Sequence, residues 1–383
     1  MDAQLAPLRD EAVGLYIHVP FCDGKCLYCG FYSEPLADHD AASLVSALIA
    51  ELDRYRAVSA IRTAYIGGGS PTCLPHELLA DLVGAVSSQW PALREFTVEC
   101  NPGQVSGRTL SMLHRYGVNR LSFGVQSFRP EELALLGRRH SVDQAVEAIE
   151  LAQKRGFENV GLDLIFAIPG STITSWEYSL RSAVGLGVQH LSPYTLSFEP
   201  GTPLDQARRA GRIRAIDEET DRAMYELAID SLASAGFTQY EISNFAREGF
   251  ACLHNQGYWQ NRSYIGVGPS AGSYWQGRRA VNISDMGEYV RRIEAGHDPC
   301  DQCERTDRSG RICETAVLNL RTRNGIHLPT FRRVTGTDFM ELFGTPVQRY
   351  KRQGLIEIDG DRVRLARKAL GVADSVLCDF SAL

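Results

Sequence analysis

Short apolar and β-branched runs alternate with longer amphipathic stretches along the first two thirds of the 383-residue chain. This alternation predicts repeated strand–helix units around a parallel sheet. The predicted strands cover residues 14–19, 63–66, 95–99, 120–123, 159–165 and 190–195. The predicted helices cover residues 41–56, 76–89, 107–116, 142–155, 173–186 and 217–235. The pattern therefore favours an α/β fold with about six βα units.

The pattern changes after about residue 247. Aromatic and Gly-rich sequence (HNQGYW, YIGVGPSAGSYW) gives way to a polar, cysteine-bearing stretch at 296–311. From residue 314 onward we predict helices and a final hairpin, with strands at 355–358 and 363–365 around an Asp359-Gly360 turn. We predict a barrel domain at 1–245, a connecting region at 246–303 and a small, mainly helical domain at 304–383.

The composition is that of an ordinary globular protein. The chain is 44% hydrophobic and 22% charged, with a net charge of −6, which argues against disorder, a coiled coil or a collagenous repeat. No apolar run approaches the roughly 18 residues that a membrane span needs. The N-terminal residues are charged and lack a hydrophobic stretch of signal-peptide type. We expect a cytoplasmic protein, with peripheral membrane association as the open alternative.

Residues 304–352 carry ten Lys/Arg and five Asp/Glu, so this part of an acidic chain is basic. Such a surface would suit nucleic acid, an anionic membrane or a docking partner. Acidic residues are interspersed and no aromatic platform accompanies the charges, which favours a solvated helical face. We expect no nucleic-acid partner.

The ten cysteines are the unusual part of the composition. In a reducing compartment, clustered cysteines indicate metal or redox chemistry. Cys22, Cys26 and Cys29 form a C-x3-C-x2-C array just after the first predicted strand. Three thiolates are too few for a structural zinc site, and they suit an iron–sulfur cluster with one iron left open. We predict these three cysteines as metal ligands.

A second pair, Cys300 and Cys303, lies in the polar stretch. Two thiolates are half of a zinc knuckle, but no histidine or further CxxC pair is close in sequence. An auxiliary metal site and a pair of ordinary cysteines are both left open. The scattered cysteines are expected to be small, buried apolar residues: Cys73, Cys100, Cys252, Cys313 and Cys378.

Polar or glycine-rich sequence follows the end of each predicted strand, where barrel enzymes place their chemistry. Gly67–Pro71 (GGGSP) follows the second strand, Glu99 the third and Gln126 the fourth, and Asp163 ends the fifth.

The cysteine loop, with Tyr28 before its last cysteine, resembles that of the radical S-adenosylmethionine enzymes. YIHVPFC, GGGSPT, ECNPG, GVNRLSFGVQSF, LGRRH and GLDLIFAIPG resemble the oxygen-independent coproporphyrinogen III oxidase group and, within it, a heme chaperone branch. The resemblance runs from Tyr16 nearly to the C-terminus. It implies a partial (β/α)6 TIM-type barrel and a 4Fe-4S cluster whose open iron chelates S-adenosylmethionine, from which an electron can release a 5′-deoxyadenosyl radical.

The same resemblance implies the S-adenosylmethionine contacts. Gly69, Ser70 and Pro71 match the loop that meets the methionyl ammonium, and Ser70 stands where the family usually has Thr. The positions matching the remaining polar and adenosyl-side contacts are Glu99, Gln126, Arg138 and Asp163, then Tyr16, Tyr28 and Ser197. The alternative is that these residues bond only one another at the mouth of the barrel.

Three features separate the branches of the group. Phe31 stands where the oxidases have a fourth cysteine, and only 15 residues precede Tyr16, where the oxidases carry a long N-terminal segment. HNQGYW resembles the HNxxYW signature of the heme chaperones, which implies an exposed His254 imidazole as axial heme ligand beside Tyr258 and Trp259. The ordinary interpretation is a hydrogen-bonded interior histidine with two core aromatics.

We therefore expect a heme chaperone that binds heme, a 4Fe-4S cluster and S-adenosylmethionine and delivers heme to an acceptor such as a membrane-bound respiratory enzyme. Radical turnover need not occur, and no catalytic residue is assigned. The alternative is an enzyme of the same group that methylates or cyclopropanates another substrate, or decarboxylates a porphyrinogen. The sequence leaves the oligomeric state open.

Overall fold

The computed structural model describes residues 12–382, so the predicted lack of a signal peptide concerns a segment outside the described residues. The strands are β1 (Val13–Val19), β2 (Phe21–Cys22), β3 (Glu34–Pro35), β4 (Ile61–Gly68), β5 (Glu95–Cys100), β6 (Arg120–Gln126), β7 (Val160–Phe166), β8 (His190–Thr195), β9 (Thr238–Gln239), β10 (Phe245–Ala246), β11 (Tyr264–Val267), β12 (Gly272–Trp275), β13 (Arg278–Asn282), β14 (Cys300–Arg305), β15 (Ile326–His327), β16 (Ile356–Asp359) and β17 (Arg362–Leu365).

The α-helices are α1 (Ala41–Asp53), α2 (His76–Gln89), α3 (Gly107–Arg115), α4 (Pro130–Leu136), α5 (Val142–Lys154), α6 (Ile173–Gly185), α7 (Pro203–Arg209), α8 (Glu218–Ser234), α9 (Leu253–Trp259), α10 (Met286–Glu294), α11 (Arg308–Leu320), α12 (Leu328–Thr335), α13 (Phe339–Arg352) and α14 (Ala373–Leu377). Short 3₁₀ helices lie at Leu36–Asp38, Pro71–Cys73, Pro102–Gln104, Arg367–Val372 and Cys378–Phe380.

One large sheet organises the described part of the chain, in the order β14-β13-β12-β11-β1-β4-β5-β6-β7-β8-β10-β9. The strands from β11 to β8 in this order run parallel, and the flanking strands add antiparallel edges. Within residues 12–382 the outer strands β14 and β9 do not pair, so the barrel stays open. This confirms the α/β class and the partial barrel with six predicted strands.

The central strands form where the sequence is apolar on both faces, as parallel strands covered by helices require. In β7, for example, only Asp163 interrupts a run of buried residues. The helices between the strands begin at side-chain caps. Ser141 and Gln144 form a capping box at α5, and Asp40 accepts hydrogen bonds from two backbone N–H groups at the start of α1.

Region 246–303 is more ordered than a connecting region. It contains α9 and α10, and it supplies β11 to β13 and the first four residues of β14, which extend the barrel sheet at its β1 edge. The terminal hairpin of β16 and β17 was predicted correctly. Buried side chains from Val13 in β1 to Phe380 near the C-terminus belong to one continuous core. The boundaries at 245/246 and 303/304 remain predictions.

Glu51 ties this sheet extension to the barrel. Its carboxylate, in α1, is 1% exposed and accepts hydrogen bonds from the Tyr289 hydroxyl at 2.6 Å, the Gly268 backbone N–H at 2.8 Å and the Asn282 side-chain amide at 2.9 Å. Burial raises the pKa of Glu51, and the three donors oppose that rise. The contact therefore joins α1 to α10, β13 and the turn after β11.

Among residues 12–382, no helix combines the length and apolar character that a membrane crossing needs.

Replacing Glu51 by Leu is expected to lower the free energy of unfolding by about 3 kcal/mol, because three buried donors lose their acceptor together. Urea and thermal unfolding followed by circular dichroism would measure the change. Glu147→Leu, on the exposed face of α5, is the matched control and should shift the free energy by less than about 0.5 kcal/mol. Equal effects of the two substitutions would contradict a structural role for Glu51.

Candidate functional site

The three predicted cluster cysteines lie in a loop that a small parallel ladder closes. Cys22 ends β2, which pairs with β3, so residues 23–33 form a closed loop just beyond the end of β1. Two backbone hydrogen bonds of Leu27 hold the loop against the rest of the barrel mouth: its N–H donates to Leu136 and its carbonyl accepts from Leu204, at 3.0 and 2.9 Å. The loop therefore presents its thiols in a defined place.

The thiols of Cys22, Cys26 and Cys29 are partly buried, unbridged and close enough to influence one another. Burial raises the pKa of Cys22, the Ser33 hydroxyl opposes that rise, and the other two thiols add to it. Burial likewise raises the pKa of Cys29. Within residues 12–382, no group of three or more His, Cys, Asp or Glu side chains could hold a single metal ion. Three unbridged thiols on one short loop are nevertheless the donor set that an iron–sulfur cluster with one open iron needs.

The glycine-rich segment after β4 lies directly against this loop. The Gly69 N–H donates to the Val19 carbonyl at 2.9 Å, and the Ser70 N–H donates to the Phe21 carbonyl at 2.6 Å. A Cβ atom at residue 69 would lie 2.4 Å from the Phe21 carbonyl oxygen, so only glycine fits this approach. The Ser70 hydroxyl is buried and donates to the Gln104 side-chain carbonyl at 2.6 Å.

Two hydrogen bonds hold the Glu99 carboxylate in place within the site. Its Oε1 accepts from the Tyr65 hydroxyl at 2.8 Å and its Oε2 accepts from the Gly68 N–H at 3.1 Å. Burial raises the pKa of Glu99 to about 7; these two donors lower it and nearby Asp163 raises it further. Glu99 is therefore poised to change its charge near neutral pH, and a cation beside it would favour the carboxylate.

Arg138 brings positive charge next to the thiols. It follows Gly137, the left-handed residue that ends α4, and donates to the Gly124 carbonyl at 2.5 Å and to the Cys26 sulfur at 3.4 Å. Its buried Nε has no hydrogen-bond partner in the protein, and buried donors are normally paired. A carboxylate from a ligand would satisfy this donor.

Gln126 and Asp163 complete the polar wall. Gln126 has φ of 69° at a register shift between β6 and β7, an uncommon conformation for a residue with a side chain. Burial raises the pKa of Asp163, while hydrogen bonds from Ser192 and Ser122 and the charges of Arg120 and Arg138 oppose the rise.

These side chains surround one cavity of about 390 Å³, within the usual range for a small-molecule pocket. The predicted residues that line it are Cys22, Cys26, Tyr28, Cys29, Gly69, Ser70, Glu99, Gln126, Arg138 and Asp163. Phe31 also lines it and is 71% exposed at its mouth. The three thiols, the unpaired Arg138 Nε and the two carboxylates fit a 4Fe-4S cluster beside a ligand that carries an ammonium and a carboxylate.

Three of the predicted S-adenosylmethionine contacts do not line the cavity. The Tyr16 hydroxyl is hydrogen-bonded to His18 Nδ1 at 2.9 Å inside the barrel. Pro71 is buried at the start of a 3₁₀ helix, and Ser197 is exposed beyond the end of β8.

The sequence did not identify two residues that are hydrogen-bonded to the site: Tyr65, which donates to Glu99, and Gln104, which accepts from Ser70. Tyr65 could have been found because Thr63, Tyr65 and Gly67 alternate along β4 and therefore share one face. Gln104 belongs to a short 3₁₀ helix and gave no periodic signal.

His254 lies at the opposite end of the barrel strands from the cavity. Its Nδ1 is hydrogen-bonded to Thr63 Oγ1 at 2.9 Å and its Nε2 to the Tyr258 hydroxyl at 2.8 Å. Glu95 accepts hydrogen bonds from the backbone N–H groups of Leu253 and His254, so α9 closes the amino-terminal end of the barrel. Burial, with the nearby charge of Arg120, lowers the pKa of His254 to about 3, which keeps the imidazole neutral.

The expectation of an exposed imidazole is wrong. His254 is 3% exposed and both ring nitrogens are occupied. The void beside it measures about 20 Å³, far below the several hundred Å³ of a small-molecule pocket. Trp259 packs under the Arg321 guanidinium, and its carbonyl accepts from Asn319 of α11. In this conformation His254 is an interior residue held by side chains of β4 and β5, while the other residues of the HNQGYW segment are partly buried.

Two segments of the chain match known protein families. Residues 16–183 match the Radical SAM superfamily and residues 307–371 match the HemN C-terminal domain. The chain is 34% identical over 371 residues to a Bacillus subtilis protein named heme chaperone HemW, covering 95% of this chain and 98% of that protein. It is 33% identical over 391 residues to the mitochondrial radical S-adenosyl methionine domain-containing protein 1 of Bos taurus, covering 96% and 87%.

Among solved structures, coproporphyrinogen III oxidase (HemN) from Escherichia coli superposes with a TM-score of 0.84 at 20% identity. The match covers 98% of this chain and 91% of that one. At this identity the likeness shows the fold, which is the open barrel with a smaller C-terminal part.

Replacing Cys22, Cys26 or Cys29 by Ala is expected to abolish cluster assembly, because each thiolate would hold a different iron. Iron content and the visible absorbance after anaerobic reconstitution measure the effect. Cys73→Ala is the matched control, since Cys73 is a partly buried thiol near Cys22 outside the predicted array; it should retain the full iron content. A Cys26→Ala variant with unchanged iron and absorbance would contradict the assignment.

Proposed function

Since the chain belongs to the radical S-adenosylmethionine superfamily, and within it to the HemW heme chaperone family, we propose that it binds heme and transfers it to an acceptor protein. The family membership rests on identity above 30% along almost the whole length of HemW relatives. A 4Fe-4S cluster and S-adenosylmethionine are the cofactors of the radical SAM domain. The observation that carries the cofactor part of this proposal is the single cavity shared by three thiols, two carboxylates and an unpaired guanidinium nitrogen.

Each wall of the cavity has a role in this proposal. Cys22, Cys26 and Cys29 would hold three irons, and when bound the cluster supplies an open iron that chelates the amino acid part of S-adenosylmethionine. Glu99 and the Gly69 segment would receive the N–H groups of the methionyl amino group, because a carboxylate and closely approaching backbone lie together there. Arg138 would receive the methionyl carboxylate through its free Nε.

Asp163 and Gln126 would receive the ribose hydroxyls, and Tyr28, partly buried beside the thiol loop, would lie along the adenosyl group. Tyr16, Pro71 and Ser197 stand outside the cavity. Their predicted contacts with S-adenosylmethionine would need local movement, so they act on the site at most through neighbours such as His18 and Ser70.

S-adenosylmethionine affinity is expected to rise with pH through about 7. Burial raises the pKa of Glu99 to about 7, so below that pH the carboxyl group is neutral and accepts more weakly from the amino N–H groups, and above it the carboxylate is present. Equilibrium binding between pH 6 and pH 8 would be measured on reconstituted protein. Glu99→Gln should bind more weakly and lose this pH dependence. An unchanged pH profile in Glu99→Gln would show that another group controls binding.

Heme ligation by His254 requires α9 to move, because the imidazole is buried and the void beside it is small. The movement must break the His254 hydrogen bonds to Thr63 and Tyr258. We propose that heme binding and this opening occur together, so that the acceptor receives heme from an opened α9. Tyr258 and Trp259 would then be free to flank the porphyrin.

Removing the competing hydrogen bond tests this ligand directly. Tyr258→Phe keeps the ring and frees His254 Nε2, so heme affinity is expected to increase about fivefold, equivalent to a hydrogen bond of about 1 kcal/mol. His254→Ala should lose the axial-ligand signature in the Soret region. His297→Ala, at an exposed histidine, is the control and should bind like the parent protein.

Weaker heme binding by Tyr258→Phe, together with a normal Soret band in His254→Ala, would place the axial ligand elsewhere. Far-ultraviolet circular dichroism of each variant verifies folding, because His254 lies in the interior.

The enzymatic alternative makes a different prediction for S-adenosylmethionine. A methylating or cyclopropanating enzyme would consume it with dithionite, forming 5′-deoxyadenosine or a methylated product. A chaperone would transfer heme with little consumption. Vigorous cleavage without heme binding would reject the chaperone function. Phe31 stands where the oxidases carry a fourth cysteine, which speaks against porphyrinogen decarboxylation.

We further propose that the acceptor is a membrane-bound heme enzyme and that the protein meets it at the membrane surface. The basic stretch 304–352 supports this proposal because it carries ten Lys/Arg and five Asp/Glu, and basic surfaces are attracted to anionic lipid.

A further inference from the structure

A second pair of thiols lies far along the chain from the cluster loop. Cys300 and Cys303 both belong to β14, the outermost strand at one edge of the large sheet. Cys300 is partly buried and Cys303 is exposed. Residues three apart in a regular strand point to opposite faces of the sheet, so the sequence alone separates the two thiols.

A β-bulge brings them to the same face. Ala280 pairs with Cys303, and Asn282 pairs with Cys300. The two β13 residues are two positions apart along the chain, whereas the two cysteines of β14 are three positions apart. Asp301 is the extra residue, and a bulge of this kind shifts the alternation by one position. Because Ala280 and Asn282 share a face of β13, Cys300 and Cys303 share that face too. The two thiols are close enough to interact directly.

Arg278 makes the two thiols unequal. It lies on the same face of β13, two residues before Ala280, and its guanidinium donates to the Cys303 sulfur from Nε at 3.1 Å and from Nη2 at 2.8 Å. A charge-assisted contact of this kind stabilises a thiolate. Cys300 has a different environment: burial and the Asp298 carboxylate raise its pKa, and its thiol donates to the Gln302 carbonyl at 3.2 Å.

The pair is not a complete metal site. Among residues 12–382, no set of three or more His, Cys, Asp or Glu side chains could hold a metal ion, and two thiolates leave a tetrahedral zinc half-coordinated. An exposed attacking thiol beside a cation, with a second thiol within reach, is the arrangement that thiol–disulfide exchange uses.

We propose that Cys300 and Cys303 form a redox-active dithiol site that exchanges with low-molecular-weight disulfides such as oxidised glutathione, with Cys303 as the attacking thiolate and Cys300 as the resolving thiol. Cys303 attacks one sulfur of the external disulfide, the S–S bond breaks and one thiolate leaves. Cys300 then loses its proton, attacks the Cys303 sulfur in the mixed disulfide and expels the second thiolate, which takes up that proton. One external disulfide is reduced to two thiols while the two cysteines are oxidised to one disulfide.

The test uses the full-length, reconstituted protein under anaerobic conditions in mixtures of reduced and oxidised glutathione. Exchange needs no oxygen, so the cluster is not exposed to it. After acid quenching and alkylation, trypsin releases the peptide 293–305, whose only cysteines are Cys300 and Cys303. Mass spectrometry then counts dithiol, mixed disulfide and internal disulfide, and iron content shows whether the cluster stays intact.

The parent protein is expected to form the internal disulfide without loss of iron. Cys300→Ser should stop at a glutathione adduct on Cys303, because the resolving thiol is missing. Cys303→Ser should react far more slowly. Arg278→Gln should slow the first step about threefold, because the Cys303 sulfur loses the charged guanidinium donors that contact it at 3.1 and 2.8 Å.

Cys378, near the C-terminus, is exposed, so the expectation of a buried residue was wrong there, and Cys73 is only partly buried. Cys378 serves as the reference within the same molecule. The proposal requires Cys303 to react faster than Cys378. It is overturned if the 293–305 peptide stays fully reduced where Cys378 is glutathionylated, or if both cysteines accumulate separate adducts without an internal bond. Equal rates for the parent protein and Arg278→Gln would remove Arg278 from the site.

Discussion

The parallel hydrogen-bonded ladder from β1 to β7 is the constraint on which the cavity depends. Parallel strands bring their carboxyl ends to the same edge of a sheet, so the cysteine loop after β1, the glycine segment after β4 and Glu99 in β5 meet at one place. Gly69 locks two of these segments together, because its Cα approaches the Phe21 carbonyl too closely for any side chain. The cavity is thus a product of strand register more than of any one loop.

The same strands link the cavity to α9, the helix that carries the buried His254. Along β4, Tyr65 donates to Glu99 toward the carboxyl end, and Thr63 is hydrogen-bonded to His254 toward the amino end. The Tyr65 and His254 rings lie 5.3 Å apart. Opening of α9 would therefore disturb a neighbour of Glu99. In the proposed chaperone, this adjacency provides a physical route by which the occupied cofactor cavity and the heme-binding segment affect each other.

The antiparallel extension of the sheet adds features that the barrel does not need. Glu51 fastens it to α1 with three buried hydrogen bonds, and its last strand carries the bulge that unites Cys300 with Cys303. The three thiols of the cluster loop and the two thiols of β14 are therefore brought together for different reasons. The first set is close because the chain spacing is short, whereas the second is close because a neighbouring strand sets the register.

The sequence by itself determined the strands β1 and β4 to β8 to within about three residues, the helices between them except the short α4 and α7, and the proximity of the three cluster cysteines along the chain. Each of these depends on local information: alternation of apolar positions, caps such as Ser141, and thiols within eight residues of one another. The positions of Glu99, Gln126 and Asp163 at the cavity agree with their places after or at the end of strands, whereas Arg138, which follows α4, was named only from the family resemblance.

Only the tertiary structure decided the burial of His254, the turning of Tyr16 toward His18 and the common face of Cys300 and Cys303. Hydrophobic periodicity reports which face of an element is buried, but it carries no information about a partner 191 residues away, as Thr63 is from His254. Those contacts arise when separate elements pack and their buried polar groups must find partners.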